Sequence, residues 1–265
     1  MAVVPLQVWS QSKSYGWATF SPAILRHPLA APGKIFSGYP LSKSQEYGVL
    51  ENAGMPVPRW VLLEEGRAPD LTGFDPYVVE KPNYGGSGEE VKVVSKEQVR
   101  WKPITTQSAG TSSSTIIQEL IYTGPQPVSY RVNTLFGKVL CSTRHESVNE
   151  FVRGRSSTNE PLTQGRNSVV ATGPGSRISL NFDEDIIRLG EAAAEAFPDI
   201  PLLGFDIVRE LPTGRLFVLE ANAIGYVWRF GPSESSGNGL CLEDQFDGVR
   251  KAAYILAEKT QQHAF

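Results

Sequence analysis

The sequence predicts an α+β protein built as two lobes, and three observations carry that prediction. Strand-like runs rich in Val, Ile, Phe and Tyr alternate with helical stretches, but without the regular spacing of a doubly wound parallel sheet. Residues 203–222, LGFDIVRELPTGRLFVLEAN, read as a hairpin in which Pro212, Thr213 and Gly214 supply the turn chemistry. Residues 77–94 hold a second hairpin, two strand-like runs around the glycine-rich NYGGSGEE. At 265 residues the chain is long enough for one large domain or two lobes.

Taken in order, residues 1–42 mix Pro, Gly, Ser and a few aromatics without sustained periodicity and read as an irregular lead-in. Residues 44–53 carry apolar positions at helical spacing, with Ser42 or Ser44 as N-cap, Gly54 as the stop and Pro56 beyond it. Lys43, at the start of that helix, is opposed by the helix dipole by a few tenths to about 1 kcal/mol, and an anion to bind is one reason for its place there. The runs RWVLL, YVVEKP and EEVKVV read as strands, as do TIIQELI, RVNTLF and KVLCSTRH after a polar low-complexity stretch over 105–115. Residues 149–178, with Arg153, Arg155, Arg166 and Arg177, read as a long loop over a site. Helices are expected over 183–196, with Asp183 near the cap, and over roughly 241–259.

Composition narrows the function classes. The net charge of −3 offers no global basic field for nucleic acid. No basic-then-apolar leader opens the chain and no run approaches a membrane span of roughly 20 apolar residues, so a cytoplasmic protein without a membrane partner is expected. Cys141 and Cys241 show no metal-ligand spacing, and with only His27, His145 and His263 present, a zinc site or a Ser-His-Asp triad has little to draw on. His145, beside Arg144, either faces a site or is an ordinary surface or hydrogen-bonded histidine.

The hairpin over 203–222 carries the chemistry. Centred on Thr213, it sets Asp206 across from Glu220, and the period of two puts Asn222 on the face of Glu220. Like charges opposite one another destabilise a strand pair, which a cation between them relieves, and oxygen donors of this kind suit Mg²⁺ or Mn²⁺. In the second hairpin, Gly85, Gly86, Ser87 and Gly88 allow close backbone approach to phosphate oxygens, with Lys81 adding positive charge. The pattern is neither a GxxxxGK[ST] loop nor a dinucleotide fingerprint.

The segments LSKSQEYGVLENAGMPVP, YVVEKPNYGGSG, TIIQELI, GFDIVRE and LFVLEANA, in this order between about Ser42 and Ala223, resemble the ATP-grasp superfamily. The resemblance implies an α+β ATP-grasp fold, two lobes with mostly antiparallel sheets that grip ATP between them. It divides the chain into a lead-in over 1–42, a small lobe over 43–117 and a large lobe with the metal site over 118–265. It implies that Lys43 and Lys81 reach the nucleotide phosphates, that the Gly85–Gly88 loop closes over them, and that Gln118, Glu119, Leu120 and Ile121 form the hinge at the adenine edge. In that hinge the acid accepts from the exocyclic amine. Asp206, Glu220 and Asn222 fall on the Mg²⁺ ligands; Arg131 and Arg144 correspond to arginines facing the phosphates or a carboxylate; and Arg166 with Asn167 resembles the substrate-loop pair.

The activity implied is an ADP-forming carboxylate–amine ligase: a carboxylate, small-molecule or peptide, attacks the γ-phosphate, and an amine captures the acyl phosphate. Such chemistry needs positioning and charge neutralisation more than a protein nucleophile, with Lys81 and an arginine offsetting the transferring charge. A phosphotransferase on the same scaffold and a non-catalytic ATP-binding module are the other readings. About forty residues precede Lys43, where many members of the superfamily carry a full α/β domain, so an open acceptor pocket completed by a homodimer mate or partner subunit is one expectation. After Asn222 the sequence AIGYVWRF lacks the small-residue and proline stretch often found there, and Tyr226, Trp228 and Phe230 are either pocket or core residues.

Overall fold

The computed structural model describes residues 41–85, 91–101, 114–148, 150, 176–223 and 245–263, and residues 6–9 and 19–22 by their backbone. In chain order the elements are β1 (Leu6–Trp9), β2 (Thr19–Pro22), α1 (Lys43–Asn52), β3 (Trp60–Leu63), β4 (Tyr77–Pro82), β5 (Lys92–Ser95) and β6 (Thr115–Glu119). There follow β7 (Val128–Leu135), β8 (Lys138–Glu146), β9 (Arg177–Leu180), α2 (Glu184–Glu195), β10 (Leu202–Arg209), β11 (Leu216–Asn222) and α3 (Gly248–His263).

The larger sheet has the order β11-β10-β7-β8-β9 and the smaller β3-β6-β4-β5, and every pairing in both is antiparallel. β6 belongs to the smaller sheet through Glu119.

Each sheet is packed according to the strand period of two. On the larger sheet Val132, Phe205 and Ile207 point to one face and are buried against Ile186, Ala193 and Phe197. Burying each such side chain contributes roughly 1.5–3 kcal/mol. α2 lies close enough there that a Cβ on Gly190 would stand 2.6 Å from Val132 Cγ1, so this helix position has no room for a side chain. The opposite face carries Arg131, Asp206 and Thr143, which occupy one row across three strands. One end of that face is closed where Ala252 and Ile255 of α3 pack on Leu135, Leu140 and Leu202. The smaller sheet buries Leu63, Val78, Ile117, Phe74 and Val99 on its outer face and Val79, Val93 and Leu120 on its inner one.

α1 begins as its sequence requires. Ser42 is an N-cap in a reciprocal capping box with Gln45, and Gly54, at φ 72°, follows the helix end. Its buried residues are not an apolar stripe, however: Lys43, Glu46, Tyr47 and Leu50 face inward. The helix lies along β11, an edge strand, and offers polar side chains to the strand's outward backbone groups.

Three expectations need correction. The lead-in over 1–42 contains an antiparallel β1–β2 pair, whose four-residue strands are too short to show a period. Residues 177 and 178 at the end of the expected loop belong to β9, the edge of the larger sheet beside β8; residues 149 and 151–175 lie outside the described ones, as do 105–113 of the low-complexity stretch. The C-terminal helix starts at Gly248, not near 241, because Phe246 and Asp247 take left-handed conformations (φ 57° and 52°), and it continues to His263. Among the described residues no helix is long and apolar enough to cross a membrane.

Candidate active site

The β10–β11 pairing sets Asp206 opposite Glu220 and Gly204 opposite Asn222, the register read from the sequence. Beyond this pair a β-bulge makes Leu219 the extra residue of β11: Asp206 faces Glu220 but Ile207 faces Val218. Each acid has a cation. Arg131 donates to Asp206 through both arms of its guanidinium, Nε to Oδ1 at 2.8 Å and Nη2 to Oδ2 at 2.6 Å. Lys43 Nζ stands 3.2 Å from Glu220 Oε1 and donates to the carbonyl of Gly85 at 2.6 Å. The lysine that the helix dipole opposes is therefore held by a carboxylate across the sheet edge. Burial works against the charge of Arg131, but the Asp206 carboxylate outweighs it and raises the pKa.

Lys81, on β4, approaches the same strand from the smaller sheet. It is 6% exposed, and its Nζ donates to Tyr47 Oη at 2.7 Å and reaches the Leu219 carbonyl at 3.5 Å. Burial lowers its pKa to about 8, against the pull of Glu220. Tyr47 shares its own proton between Gln118 Oε1 at 2.6 Å and the Leu219 carbonyl at 2.8 Å. Glu46 Oε2 accepts from the backbone N–H of Ala221 at 3.2 Å, and burial together with Glu220 pushes its pKa up to about 8. Burial thus favours the acid form of Glu46, and Lys43 and Arg131 are paired with the carboxylates of Glu220 and Asp206.

The donor set fits a hard divalent cation. Both carboxylates keep lone pairs beyond those taken by Arg131 and Lys43, and Asn222 adds a carboxamide oxygen while its Nδ2 points to the Gly204 carbonyl at 3.3 Å. Among the described residues no three His, Cys, Asp or Glu side chains gather, so the set rests on two carboxylates and one amide.

Several predicted residues are placed elsewhere. Arg144 pairs with Tyr130, on the face opposite Arg131, and binds Glu146 at 3.0 Å. Because β8 alternates, it is Thr143 and His145 that share the face of Arg131. Glu119 pairs with Val78 on the outer face of the smaller sheet and is clamped by Arg59, Nη2 to Oε1 at 2.6 Å and Nε to Oε2 at 3.2 Å. Its carboxylate is thus turned away from Lys81, and Gln118, 4% exposed, is the hinge side chain turned toward it. Leu120 packs with Val79 and Val93, and Ile121 follows it out of the strand. Gly86, Ser87, Gly88, Arg166, Asn167, Tyr226, Trp228 and Phe230 lie outside the described residues.

Tyr47 and Glu46 are site residues that the sequence reading does not name, and His145 is one it leaves open. The first two stand one helical turn after Lys43, at i+4 and i+3, and that spacing was the available signal. His145 bonds Thr143 Oγ1 through Nε2 at 2.9 Å; its Nδ1 is buried without a hydrogen-bond partner among the described residues, and burial, with Arg131 nearby, lowers its pKa to about 4.

No protein-family model and no curated protein sequence matches this chain. Solved structures do. The chain is similar to the ATP-grasp ligase PsnB complexed with precursor peptide PsnA2 and AMPPNP, at 20% identity and a TM-score of 0.50 over 83% of this chain and 59% of that one. The chain has the ATP-grasp fold. D-alanine–D-alanine ligase from Bacillus anthracis superposes equally well, at 16% identity and TM-score 0.50 over 83% of this chain and 69% of that one. D-cycloserine synthetase DcsG does so over 69% and 62%, again at 16% identity and TM-score 0.50. The chain thus spans about three fifths of PsnB. In this ATP-grasp fold β11 lies beside α1, which brings Asp206, Glu220 and Asn222 next to the two lysines.

Proposed function

We propose that this ATP-grasp chain is an ATP-dependent ligase that activates a carboxylate and joins it to an amine. The carrying observation is the opposed Asp206–Glu220 pair, each acid held by its own cation, with the buried ammonium of Lys81 alongside. In this reading Val79, Val93 and Leu120 give the inner face of the smaller sheet an apolar surface beside Gln118, suited to a flat heterocyclic base. Lys43 and Lys81 hold the phosphates, and Arg131 anchors Asp206 while presenting its remaining N–H groups to the transferring phosphoryl. Asp206, Glu220 and Asn222 would hold Mg²⁺ or Mn²⁺, which when bound offsets phosphate charge.

The chemistry balances without a protein nucleophile. A substrate carboxylate oxygen attacks the γ-phosphorus and the bond to ADP breaks. The amine then attacks the acyl carbon, phosphate leaves, and the surplus amine proton passes to phosphate or solvent. The nearby thiol does not compete, since burial raises the Cys141 pKa and the side chain is 2% exposed.

Hydroxylamine trapping tests the reading. ATP, Mg²⁺ and hydroxylamine are supplied with pooled amino acids, small organic acids and short peptides, peptides being included because PsnB was solved with a precursor peptide. The expected result is a hydroxamate, with ADP released in step, that is lost in Glu220→Ala. ADP release with a stable phosphorylated product and no hydroxamate would make the chain a phosphotransferase. Undiminished turnover in Glu220→Ala would remove the metal assignment.

A further inference from the structure

Lys81 poses a problem that its sequence position does not reveal. Its ammonium is buried, yet it has no ion-pair partner among the described residues, and its one short hydrogen bond is to a neutral phenol, Tyr47 Oη at 2.7 Å. A buried ammonium with so few acceptors is costly unless its position is set for a ligand of opposite charge. The hydroxyl that holds it is itself fully buried and spans three elements. It meets Lys81 on β4, Gln118 on β6 one residue before Glu119, and the carbonyl of Leu219 on β11 one residue before Glu220.

The Leu219 carbonyl is reachable because β11 is an edge strand whose outward backbone groups meet α1. β11 carries one residue more than β10 at this point, and the extra residue is Leu219. The tyrosine cannot swing away, since its ring packs against Trp60 at 5.5 Å between centroids and Leu50 lies in the same core cluster. With its ring fixed, a single oxygen is held between the two sheets.

We infer that Tyr47 is a positioning residue: its hydroxyl aims the Lys81 ammonium at the nucleotide phosphates and ties that aim to the strand bearing Glu220. The inference rests on the nucleotide reading above and adds a residue that the helix contributes one turn after Lys43. Tyr47 touches no reacting atom in this arrangement; it acts through Lys81.

The test is binding, measured by titration calorimetry, with AMPPNP·Mg²⁺ and adenosine as probes. Tyr47→Phe keeps the ring and removes the oxygen. It is expected to weaken AMPPNP·Mg²⁺ binding roughly tenfold, the scale of one hydrogen bond to a charged group, and to change adenosine binding less than about twofold. In a Lys81→Met background the same substitution is expected to cost less than about twofold, because the group through which Tyr47 acts is gone. An equal loss in both backgrounds, an equal loss for adenosine and AMPPNP, or no loss at all overturns the inference. So does collapse of the Tyr47→Phe fold in circular dichroism, which would make the hydroxyl a framework element. Wild-type protein that binds neither probe overturns the nucleotide reading itself, and the role of Tyr47 with it.

Discussion

Glu46 offers the sharpest energetic test of the site. Glu46→Gln replaces a buried acid by its neutral isostere while keeping an oxygen for the Ala221 N–H. The groups around the acid are Lys43 on its own helix, Lys81 from β4, Glu220 from β11 and the neighbouring Tyr47. Burial first, and Glu220 second, raise its folded pKa from 4.5 to about 8, while the Ala221 N–H and the two lysines pull the other way. A raised folded pKa means that the native state keeps a proton which the unfolded chain releases. The contribution of Glu46 to stability is thus fully present below pH 4.5 and is lost as the pH climbs through about 8. Each pH unit inside that window removes about 1.4 kcal/mol, so between about pH 5 and about pH 7.5 the wild type should lose about 3 kcal/mol that Glu46→Gln keeps. Lys81 does not blur the comparison, because its depressed pKa of about 8 places its own window between that value and 10.5, where stability rises with pH. The assay is urea unfolding of both proteins at several pH values, without nucleotide or divalent cation. A wild-type-to-variant difference that stays constant across this range would show that Glu46 is ionised in the folded state.

Other outcomes follow from the same geometry. Gly190→Ala should destabilise by about 1–3 kcal/mol, read as a lower thermal midpoint, because its methyl group would meet Val132 at 2.6 Å. Arg131→Ala should reduce hydroxamate formation at least about 100-fold, the scale of removing one preorganised group from the transferring charge, and Arg144→Ala should cost far less, since Arg144 faces the other side of the sheet. AMPPNP affinity in the free protein should decline as the pH rises above about 8, where Lys81 loses its proton, and Lys81→Arg should abolish that decline.

Much of the site was legible in the primary structure because it depends on short-range geometry. Residues 203–222 contain their own turn, and a period of two is enough to place Asp206, Glu220 and Asn222 on one face. The cap at Ser42 and the stop at Gly54 likewise need only neighbours in the chain. What local pattern leaves open is the face. Arg144 and Glu119 lie in strands read correctly, but the face each shares with other side chains is set by pairing with Tyr130 and Val78, residues far enough away that local pattern carries no trace of them. One position along each strand, His145 and Gln118 take the face of Arg131 and of Lys81.

The α+β class, the two lysines and the opposed acids follow from turn chemistry, capping and strand alternation, which are local properties of the chain. How those groups are neutralised depends on segments brought together from far apart. Lys43 reaches Glu220 across 177 positions of sequence, from residue 43 to residue 220, and Lys81 meets Tyr47 and Leu219 only because β4, α1 and the edge strand β11 come together in the fold. Buried charge is stabilised by whatever lies within a few ångströms, and in this fold those neighbours are brought together by sheet order and helix docking, not by spacing along the chain.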